Sequence, residues 1–409
     1  MDVWATENLG NFADFVCEKV NVNELTIENY ISTENMRPDR GGVEISAKLP
    51  TSGNVNAFSP GDVLFSNIRT YFKKVWLSNR CGGASADVII FRPGNKQKVT
   101  NKYLYYLLSS DSFITATVTA SKGTKMPRGD KDAMRRYTAA LPPLSIQHRI
   151  VGILSAYDDL IENSQRRIKI LEAMTRALYR EWFVHFRFPG HENHPHVSSS
   201  LGKIPHGWEV KRLGEVCRSI EDGDWIETKD QGGKDYRLLQ ISNVGVGEFI
   251  ETGNFRYVTR ETFDRLRCNE IVSGDLLVAR MPTPIGRGWL ATKMPWRMIT
   301  AVDVAIIRTE PTVIHPLFLV QAWNEISNLQ RIAAQASGTT RLRITRRELA
   351  AMEFVIPSIS VQQHFAAIVQ PQSGIIEVLR QQIQNLRRTR DLLLPSLLSG
   401  QIEMEVAKL

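Results

Sequence analysis

LPPLSIQHRIVGIL, residues 141–154, has a second version further along the chain in IPSISVQQHFAAIV, residues 356–369. The matched positions are always 215 residues apart, as in the pairs Pro142 and Pro357, Ser145 and Ser360, and Gln147 and Gln362. A constant offset between similar segments indicates an internal repeat. The chain is therefore predicted to contain two copies of one structural unit.

The repeat extends backward from these stretches with small gaps. The corresponding segments are SKGTKMPR (121–128) and ASGTTRLR (336–343), PGDVLFSNIR (60–69) and SGDLLVAR (273–280), and ADVIIFR (86–92) and VDVAIIR (302–308). Runs rich in valine and isoleucine, bounded by Gly, Pro, Asn and Asp, are typical of strands and turns. Each copy is therefore predicted to be a mixed α and β unit followed by a helix.

Each repeated stretch is predicted to open a long helix. Ser145 and Ser360 come shortly after a proline and are predicted N-caps, and Ser360 with Gln363 has the spacing of a capping box. Further on, apolar residues recur at alternating steps of four and three, which is the seam pattern of a coiled coil. The predicted seam residues are Ile150, Leu154, Tyr157, Ile161, Ile168, Leu171 and Leu178 in the first helix and Ile376, Leu379, Ile383, Leu386 and Leu393 in the second.

Several residues depart from this regular pattern. Pro371 and Gly374 predict a break or kink near the start of the second helix. Arg390 occupies a seam position, where a polar side chain can fix the register of the two helices. Arg387 and Arg388 lie outside the seam, so they are predicted to face solvent or a protein partner rather than DNA.

Connectivity predicts how the helices pair. The first helix leads from the first unit to the second, where the second helix starts, so side-by-side pairing requires an antiparallel coiled coil. A helix of about 35 residues is about 50 Å long at ~1.5 Å per residue, which makes the coil a ruler between the units. The predicted segments are a first globular unit (1–143), a central helix (144–186), a linker (187–207), a second globular unit (208–357) and a distal helix (358–409).

Composition narrows the functional class. The chain has 409 residues and a net charge of +8, which favours a polyanionic partner. Four cysteines lie far apart without a C-x-x-C pair, so neither a zinc site nor a disulfide framework is predicted. No apolar run approaches the ~18 residues of a membrane span. The opening residues MDVWATENLG are polar and acidic, unlike a secretory signal, so a cytoplasmic protein is expected.

The repeat, the LPPLSIQ motif, the closing LLPSLLSGQI (393–402) and the linker SLGKIPHGW (200–208) together resemble the specificity subunit of type I restriction-modification systems. The resemblance covers nearly the whole chain, although the first copy begins directly with a recognition domain, without the extra amino-terminal helical segment of some members. It implies an α+β fold with two mixed α/β target recognition domains in pseudo-twofold tandem repeat, separated by an antiparallel coiled coil of two long helices.

The resemblance also implies the partners. Each recognition domain would bind one half of an asymmetric bipartite site in double-stranded DNA, and the coil would set the spacer and dock two methyltransferase subunits. Restriction and translocase subunits would join that core, and no membrane is involved. S-adenosylmethionine, ATP and magnesium would belong to the partner subunits, and this chain would hold no cofactor.

Two pairs of basic segments are candidates for DNA contact. IRTYFKKVW (68–76) aligns with ARMPTPIGRGW (279–289), so Arg69 and Arg280 are interpreted as matched positions. KGTKMPRGDK (122–131) aligns with GTTRLRITRR (338–347), where a Gly-Thr turn presents basic side chains that suit phosphates. The predicted DNA-binding residues are Arg69, Tyr71, Lys73, Lys74, Lys122, Lys125, Arg128, Arg280, Arg287, Arg341 and Arg343. The alternative is that these segments are ordinary hairpins and turns with solvated charges.

Two other functional classes are the alternatives: a DNA-modifying enzyme and a coiled-coil scaffold with non-specific DNA binding. An adenine methyltransferase needs a glycine-rich cofactor loop and an N-P-P-Y-like turn, and a nucleotide hydrolase needs a Walker loop; the sequence contains none of these. The linker histidines His191, His194 and His196 lie in a Pro- and Ser-rich stretch that is unsuited to a metal site. No catalytic or metal-binding residue is therefore predicted. A coiled-coil scaffold with non-specific DNA binding would explain the helices but not the matched basic loops.

Overall fold

The computed structural model describes residues 4–123, 126–251, 253, 255–338 and 341–402. The chain divides into two compact units, Met1–Gln165 with Arg380–Leu409 and Arg166–Leu379. The mixed α and β class predicted from the repeat is confirmed, because both units combine sheets with helices. Within the described ranges, no helix is both long enough and apolar enough to cross a membrane.

The first unit begins with short strands and three short helices. Its strands are β1 (Thr6–Asn8), β2 (Ala13–Phe15), β3 (Lys19–Asn21), β4 (Tyr30–Ile31), β5 (Asn54–Phe58), β6 (Val63–Ser66), β7 (Val75–Leu77), β8 (Gly82–Ala84), β9 (Val88–Pro93) and β10 (Thr138–Ala140). Its helices are α1 (Asn101–Ser109), α2 (Asp111–Thr119) and α3 (Lys131–Arg135), followed by the long α4 (Leu144–Tyr179), which continues as a π-helical turn (Arg180–Val184).

The second unit repeats this order with additional elements. Its strands are β11 (His196–Ser199), β12 (Gly202–Pro205), β13 (Glu209–Arg212), β14 (Cys217–Asp222), β15 (Tyr236–Leu239), β16 (Tyr257–Val258), β17 (Leu276–Ala279), β18 (Gly288–Leu290), β19 (Arg297–Thr300), β20 (Val304–Thr309) and β21 (Glu353–Ile356). Its helices are α5 (Leu213–Val216), α6 (Arg260–Leu266), α7 (Pro316–Asn324), α8 (Ile326–Gln335), α9 (Arg346–Ala351) and the long α10 (Ile359–Ser399).

Sheet topology shows that the two units are built alike. An antiparallel sheet has the order β2-β9-β6-β7 in the first unit and β14-β20-β17-β18 in the second. A further sheet in each unit contains one parallel pair, β4 with β8 and β15 with β19. The strand just before each long helix pairs with an early strand of the same unit, β10 with β1 and β21 with β13.

A buried glutamine, Gln147 in the first copy, explains why the LPPLSIQ stretch recurs as IPSISVQ in the second copy. Gln147 is fully buried, and its side-chain oxygen accepts a hydrogen bond from the Thr100 amide at 3.0 Å. Its amide nitrogen donates to the carbonyls of Lys98 (2.6 Å) and Pro142 (2.9 Å). Since Thr100 is the N-cap of α1, one side chain joins the start of α1 to the start of α4.

Gln362 makes the same connection in the second unit. It is also fully buried, and it accepts from the amide of His315, the N-cap of α7, at 2.8 Å. It donates to the carbonyls of Val313 (3.0 Å) and Pro357 (2.8 Å). Buried backbone groups must find partners, so a glutamine with one acceptor and two donors is required at this junction. We call Gln147 and Gln362 the junction glutamines.

Two sequence predictions about the helix ends are wrong. The long helices begin at Leu144 and Ile359, so Ser145 and Ser360 lie within the first turn rather than at the N-cap. The first hydrogen bonds already reach the carbonyls of Pro143 and Ser358, at 2.9 and 3.1 Å. Each helix therefore starts before the serine that local propensity favours.

The predicted break in the second helix does not occur, since α10 runs through Pro371 and Gly374. Both residues lie on the exposed side, and an added Cβ at Gly374 would meet nothing within 4 Å. Val369 and Leu379 are buried on either side of this stretch. Apolar packing on both flanks outweighs the one helical hydrogen bond that a proline removes.

Candidate nucleic-acid interface

A tight turn after β6 presents aromatic side chains in the first unit. Arg69 and Lys73 both adopt left-handed backbone conformations, with φ of 50° and 52°, and they bracket the short 3-10 turn Thr70–Phe72. Tyr71 is 48% exposed and Phe72 is 39% exposed. Non-glycine residues with positive φ are uncommon, and such strain occurs preferentially at functional sites.

The two lysines of this turn are held by neighbouring groups. Lys73 Nζ forms an ion pair with Asp111 at 2.6 Å, and Lys74 Nζ donates to the Thr33 carbonyl at 2.6 Å. Burial lowers the pKa of Lys74. Both lysines would have to exchange these partners in order to reach DNA.

The predicted basic loop of the first unit is closed by a pair of backbone hydrogen bonds. Lys122 and Arg128 exchange reciprocal amide-to-carbonyl bonds of 2.9 Å. Arg128 also forms an ion pair with Asp87 at 2.9 Å, and Lys122 forms one with Asp130 at 2.7 Å. The hydrogen bond from Lys122 lowers the pKa of Asp130 to about 2. Lys125 lies outside the described residues.

The second unit closes its basic loop in the same way. Ser337 and Arg343 exchange backbone hydrogen bonds of 3.0 and 2.9 Å. Arg343 forms an ion pair with Asp303 at 2.9 Å, which matches the pair of Arg128 with Asp87. Arg341 is exposed within this loop. The repeat therefore includes the hydrogen bonds that close the loop and its carboxylate anchor.

The predicted equivalence of Arg69 and Arg280 is wrong. Ser66 pairs with Val88 and Ala279 with Val304, so the next residue on each strand, Asn67 or Arg280, takes the same place. The contacts of these two residues agree with this. The amide of Asn67 donates to Asp87 and that of Arg280 to Asp303, while their carbonyls accept from Gly129 and Ile344.

Arg287 occupies a buried site within the second unit. Its guanidinium donates to the carbonyls of Val244 (2.6 Å), Ile241 (2.9 Å), Pro282 (2.8 Å) and Pro284 (3.1 Å). Burial lowers its pKa. These contacts give Arg287 a role in holding the surrounding loops, and they leave it unavailable to a surface ligand. The DNA contact predicted for Arg287 is therefore not part of the proposed interface.

Comparison with known proteins identifies the family. The family model of the type I restriction modification DNA specificity domain matches residues 6–173 and again residues 205–388. The chain belongs to this family. The two matches follow the internal repeat, one in each half of the sequence. The protein is thus a specificity subunit, the non-catalytic recognition component of a type I restriction-modification system.

Individual relatives agree with this assignment. The chain is 24% identical over 417 residues to the type I restriction enzyme MjaVIII specificity subunit of Methanocaldococcus jannaschii, with 98% of this chain and 93% of the relative covered. It is 25% identical over 318 residues to the MjaIX specificity subunit of the same organism, with 76% and 71% covered. The crystal structure of the type I system S subunit from M. genitalium shares the fold, with 14% identity, a TM-score of 0.55 and coverage of 99% and 98%.

The long helices of this specificity subunit place their predicted seam residues away from solvent. Ile150, Leu154, Ile161, Ile168, Leu379 and Ile383 are buried. Tyr157, Leu171, Leu178, Ile376, Leu386 and Leu393 are half-buried. In the first unit, Leu154 and Leu397 belong to one core cluster with Leu104 of α1. In the second, Phe365 packs with Tyr179 and Trp182.

Polar contacts across the seam show that the helices are antiparallel in each unit. In the first unit Arg390 of α10 pairs with Asp158 of α4. In the second, Thr175 of α4 donates to Gln372 of α10 at 2.8 Å. In the first unit Leu154 and Leu397 also share a core cluster, and in the second the rings of Tyr179 and Phe365 lie 6.3 Å apart. Within each unit the α4 position therefore rises as the α10 position falls, which is the signature of antiparallel pairing. Arg390 is therefore a polar seam residue with an opposite partner, as its predicted role in register requires.

Some residues at the basic surfaces were missed in the sequence. Arg346 and Arg347 at the start of α9 are exposed and lie beside Arg280 and Arg343. Their signal was the RITRR run, which continues the basic loop into the helix. Among the described residues no cluster of three or more His, Cys, Asp or Glu could hold a metal ion. His191 and His194 instead contact the carbonyls of Phe188 and His206.

Proposed function

We propose that this specificity subunit directs methylation to an asymmetric bipartite DNA site, with each unit reading one half. The observation that carries the proposal is the equivalent closure of both basic loops, by Lys122 with Arg128 and by Ser337 with Arg343. Cations at matched places in two related units suit two similar segments of a phosphate backbone. The target would be asymmetric because the second unit presents arginines where the first presents lysines.

The predicted contacts divide into two groups. Arg69, Tyr71, Lys122, Arg128, Arg280, Arg341 and Arg343 are the proposed DNA contacts of the two units, and Lys125 stays a prediction from the sequence. Lys73 and Lys74 belong to the proposal if DNA displaces Asp111 and the Thr33 carbonyl. Exposed Tyr71 could contact a sugar or base edge. Arg128 and Arg343 can contact phosphates while keeping their carboxylate partners, because a guanidinium has five donors.

An exposed apolar stripe supports the proposal of two methyltransferase partners. Ile153 and Leu160 of α4 are 38% and 50% exposed, and Ile368 and Ile375 of α10, each 215 positions later, are 38% and 44% exposed. Exposed apolar residues on a helix face are typical of protein interfaces. Recurrence of this stripe in both units favours two copies of one partner.

The remaining parts of the proposal concern the whole complex. Restriction and translocase subunits would join the methyltransferases, and S-adenosylmethionine, ATP and magnesium would be bound by those partners rather than by this chain. The complex would act in the cytoplasm, where its DNA lies. The coil would fix the number of base pairs between the half-sites, because its length does not depend on DNA sequence.

Genome-wide mapping of methylated adenine tests this proposal. Cells would express the cognate methyltransferase with and without the specificity subunit. We expect a bipartite motif with a fixed spacer only when the specificity subunit is present. A stable complex that methylates no defined motif would contradict the proposal, because it would show docking without recognition.

Shortening the coil is expected to shorten the spacer. Residues 165–171 of α4 and residues 380–386 of α10 are one heptad each around the predicted seam residues Ile168 and Ile383, which lie 215 positions apart. Removing both segments deletes one heptad from each helix, about 10 Å at 1.5 Å per residue, or about three base pairs of DNA. The methylated motif should keep both half-sites and lose spacer positions. Removing only one segment is the control, and it should disrupt the seam and abolish methylation. An unchanged spacer in the double deletion would exclude the ruler role.

A further inference from the structure

A cleft of about 500 Å³ opens on the second unit beside its basic loop. Arg280 and Arg343 line it from the loop side, and Arg346 and Arg347 line it from α9. Ile220 and Ala350 form its apolar part. We call this cavity the arginine cleft. Four guanidinium groups around one space repel one another unless something negative lies between them.

Arg280 is held in the wall of the cleft, and one of its buried donors lacks a partner among the described residues. Its side chain is only 4% exposed. Nη2 donates to the Val302 carbonyl at 2.6 Å, and Nη1 lies 3.0 Å from Asp222 without the alignment of a hydrogen bond. The Nε–H is buried and has no partner among the described residues. A buried unpaired donor is costly, so an acceptor that a ligand brought within its reach would lower this cost. Asp222 Oδ1, which also lines the cleft, likewise has no hydrogen-bond partner among the described residues.

The other three arginines also have donors available. Arg343 contacts Asp303 through Nη2, while its buried Nε is unpaired within the described part of the chain. The exposed side chains of Arg346 and Arg347 contact no described acidic group within ion-pair distance. Of the charged residues that line the cleft, four are arginines and one is the carboxylate Asp222. Asp303, which pairs with Arg343, and Glu348, which lies near Arg347, bring the carboxylates to three, so a net positive charge of one (4 − 3) remains around the cleft.

An arginine stacked on an aromatic ring occupies the equivalent place in the first unit. Phe15 pairs with Phe91, which also pairs with Val63 at the start of β6. Ile220 pairs with Ile307, which also pairs with Leu276 at the start of β17. Phe15 and Ile220 are therefore equivalent positions in the two units. Arg135, 215 positions before Ala350, lies over the Phe15 ring at 4.8 Å. Alanine in place of arginine leaves this volume open in the second unit. Asn67 takes the place of Arg280, so the first unit also lacks the buried cation.

We propose that the arginine cleft binds a phosphate of the DNA backbone beside the second half-site. This inference rests on the proposed function and deepens it. A phosphate has oxygens on several sides and can accept from guanidinium groups that converge from different directions. The second unit would thus grip its half-site through a backbone contact that the first unit lacks.

The salt dependence of DNA binding tests the cleft. The full chain, assembled with its methyltransferase, would be titrated with duplex DNA carrying its methylated motif at several salt concentrations. The variant R346Q/R347Q removes two exposed charges and should not affect folding. We expect the slope of log K against log salt to become shallower by roughly one, since each phosphate contact contributes about 0.9.

A matched control comes from the equivalent helix of the first unit. K131Q/R136Q removes two exposed charges from the region of α3, where no such cleft is formed, and its slope should change less than that of R346Q/R347Q. The variant A350L keeps every charge but narrows the cleft, and it should also make the slope shallower. A wild-type slope in both cleft variants would overturn the cleft proposal while leaving the proposed function intact. Failure of the wild-type complex to bind duplex DNA would overturn both.

Two further arms identify the source of the phosphate. Neutral methylphosphonates would be placed one at a time along the second half-site. We expect one position to weaken wild-type binding but to have little effect on R346Q/R347Q. Protection of the wild type against heat by inorganic phosphate at constant ionic strength, without any such coupled DNA position, would assign the cleft to a free anion and overturn the DNA assignment.

Discussion

Replacing Gln362 by leucine is expected to lower the free energy of opening of the second unit by about 3 kcal/mol. Leucine has a similar size but leaves the His315 amide and the carbonyls of Val313 and Pro357 buried without their partner. Each unmet backbone group costs about 1 kcal/mol or more. Hydrogen exchange of peptides covering α7 would measure the loss, because the junction glutamine holds the start of that helix.

The neighbouring glutamine provides the control for this substitution. Gln363 is exposed, so Gln363→Leu should change the free energy of opening by no more than about 0.5 kcal/mol. Gln147→Leu should reproduce the effect in the first unit, with increased exchange in α1. Equal exchange in the Gln362 and Gln363 variants would show that the junction glutamine is not a structural requirement.

Replacing Arg390 by methionine is expected to destabilise the first unit by about 3–5 kcal/mol. The guanidinium is 8% exposed, and it pairs with Asp158 and with Asp391 at 2.9 Å. Burial by itself would lower the pKa of Arg390, but the carboxylates of Asp158 and Asp391 raise it by more, so the net pKa is raised. The arginine is therefore charged at every accessible pH. Its removal leaves Asp158 at the seam with the hydroxyl of Tyr106, 2.6 Å away, as its hydrogen-bond partner among the described residues.

A double variant separates the loss of the pair from the cost of the remaining charge. Asp158→Leu with Arg390→Met should recover much of the stability, because an apolar pair can replace a buried ion pair at little cost. Arg388→Met is the control, since Arg388 is exposed two positions away. Thermal and denaturant unfolding would compare the four proteins. A loss below about 1 kcal/mol in the single Arg390 variant would show that solvent screens the pair.

The ion pair at Arg390 also connects the coil to the turn that presents Tyr71 in the first unit. Asp391 contacts Arg40 at 3.1 Å, and the Arg40 amide donates to the Lys73 carbonyl at 2.9 Å. The turn with exposed Tyr71 is thereby tied to α10 through a short series of polar contacts. Position 390 corresponds to Thr175 by the repeat offset, and Thr175 makes a neutral bond to Gln372 instead. The two units share a polar seam position but differ in its chemistry.

Several features could be predicted because they depend on contiguous residues. The repeat identifies equivalent strands once small gaps are allowed in the offset of 215 residues, and the seam spacing identifies which helix residues avoid solvent. The matched basic loops were also visible, down to Arg128 and Arg343. These features follow from the strand and helix periods, which are short-range properties of the backbone.

Other features could not be predicted because they depend on distant partners. Arg287 resembles a DNA contact in the sequence, yet its guanidinium is used by carbonyls about forty residues away, at Ile241 and Val244. Pro371 and Gly374 predicted a break that apolar packing overrides. The predicted match of Arg69 with Arg280 is wrong by two residues. A shift of two positions within a loop does not change the pattern of apolar residues on which the match was based.

The amino-acid sequence by itself determined that this protein has two related α+β units, two long helices with one heptad register and a basic loop in each unit. Only the tertiary structure decided that Arg280 takes the place of Asn67, that Gln147 and Gln362 join helix starts, and that a cleft opens beside Ala350. Periodicity is a property of residues that are close in the sequence. The partner of a buried polar group depends instead on strand register and on packing between segments far apart in the chain.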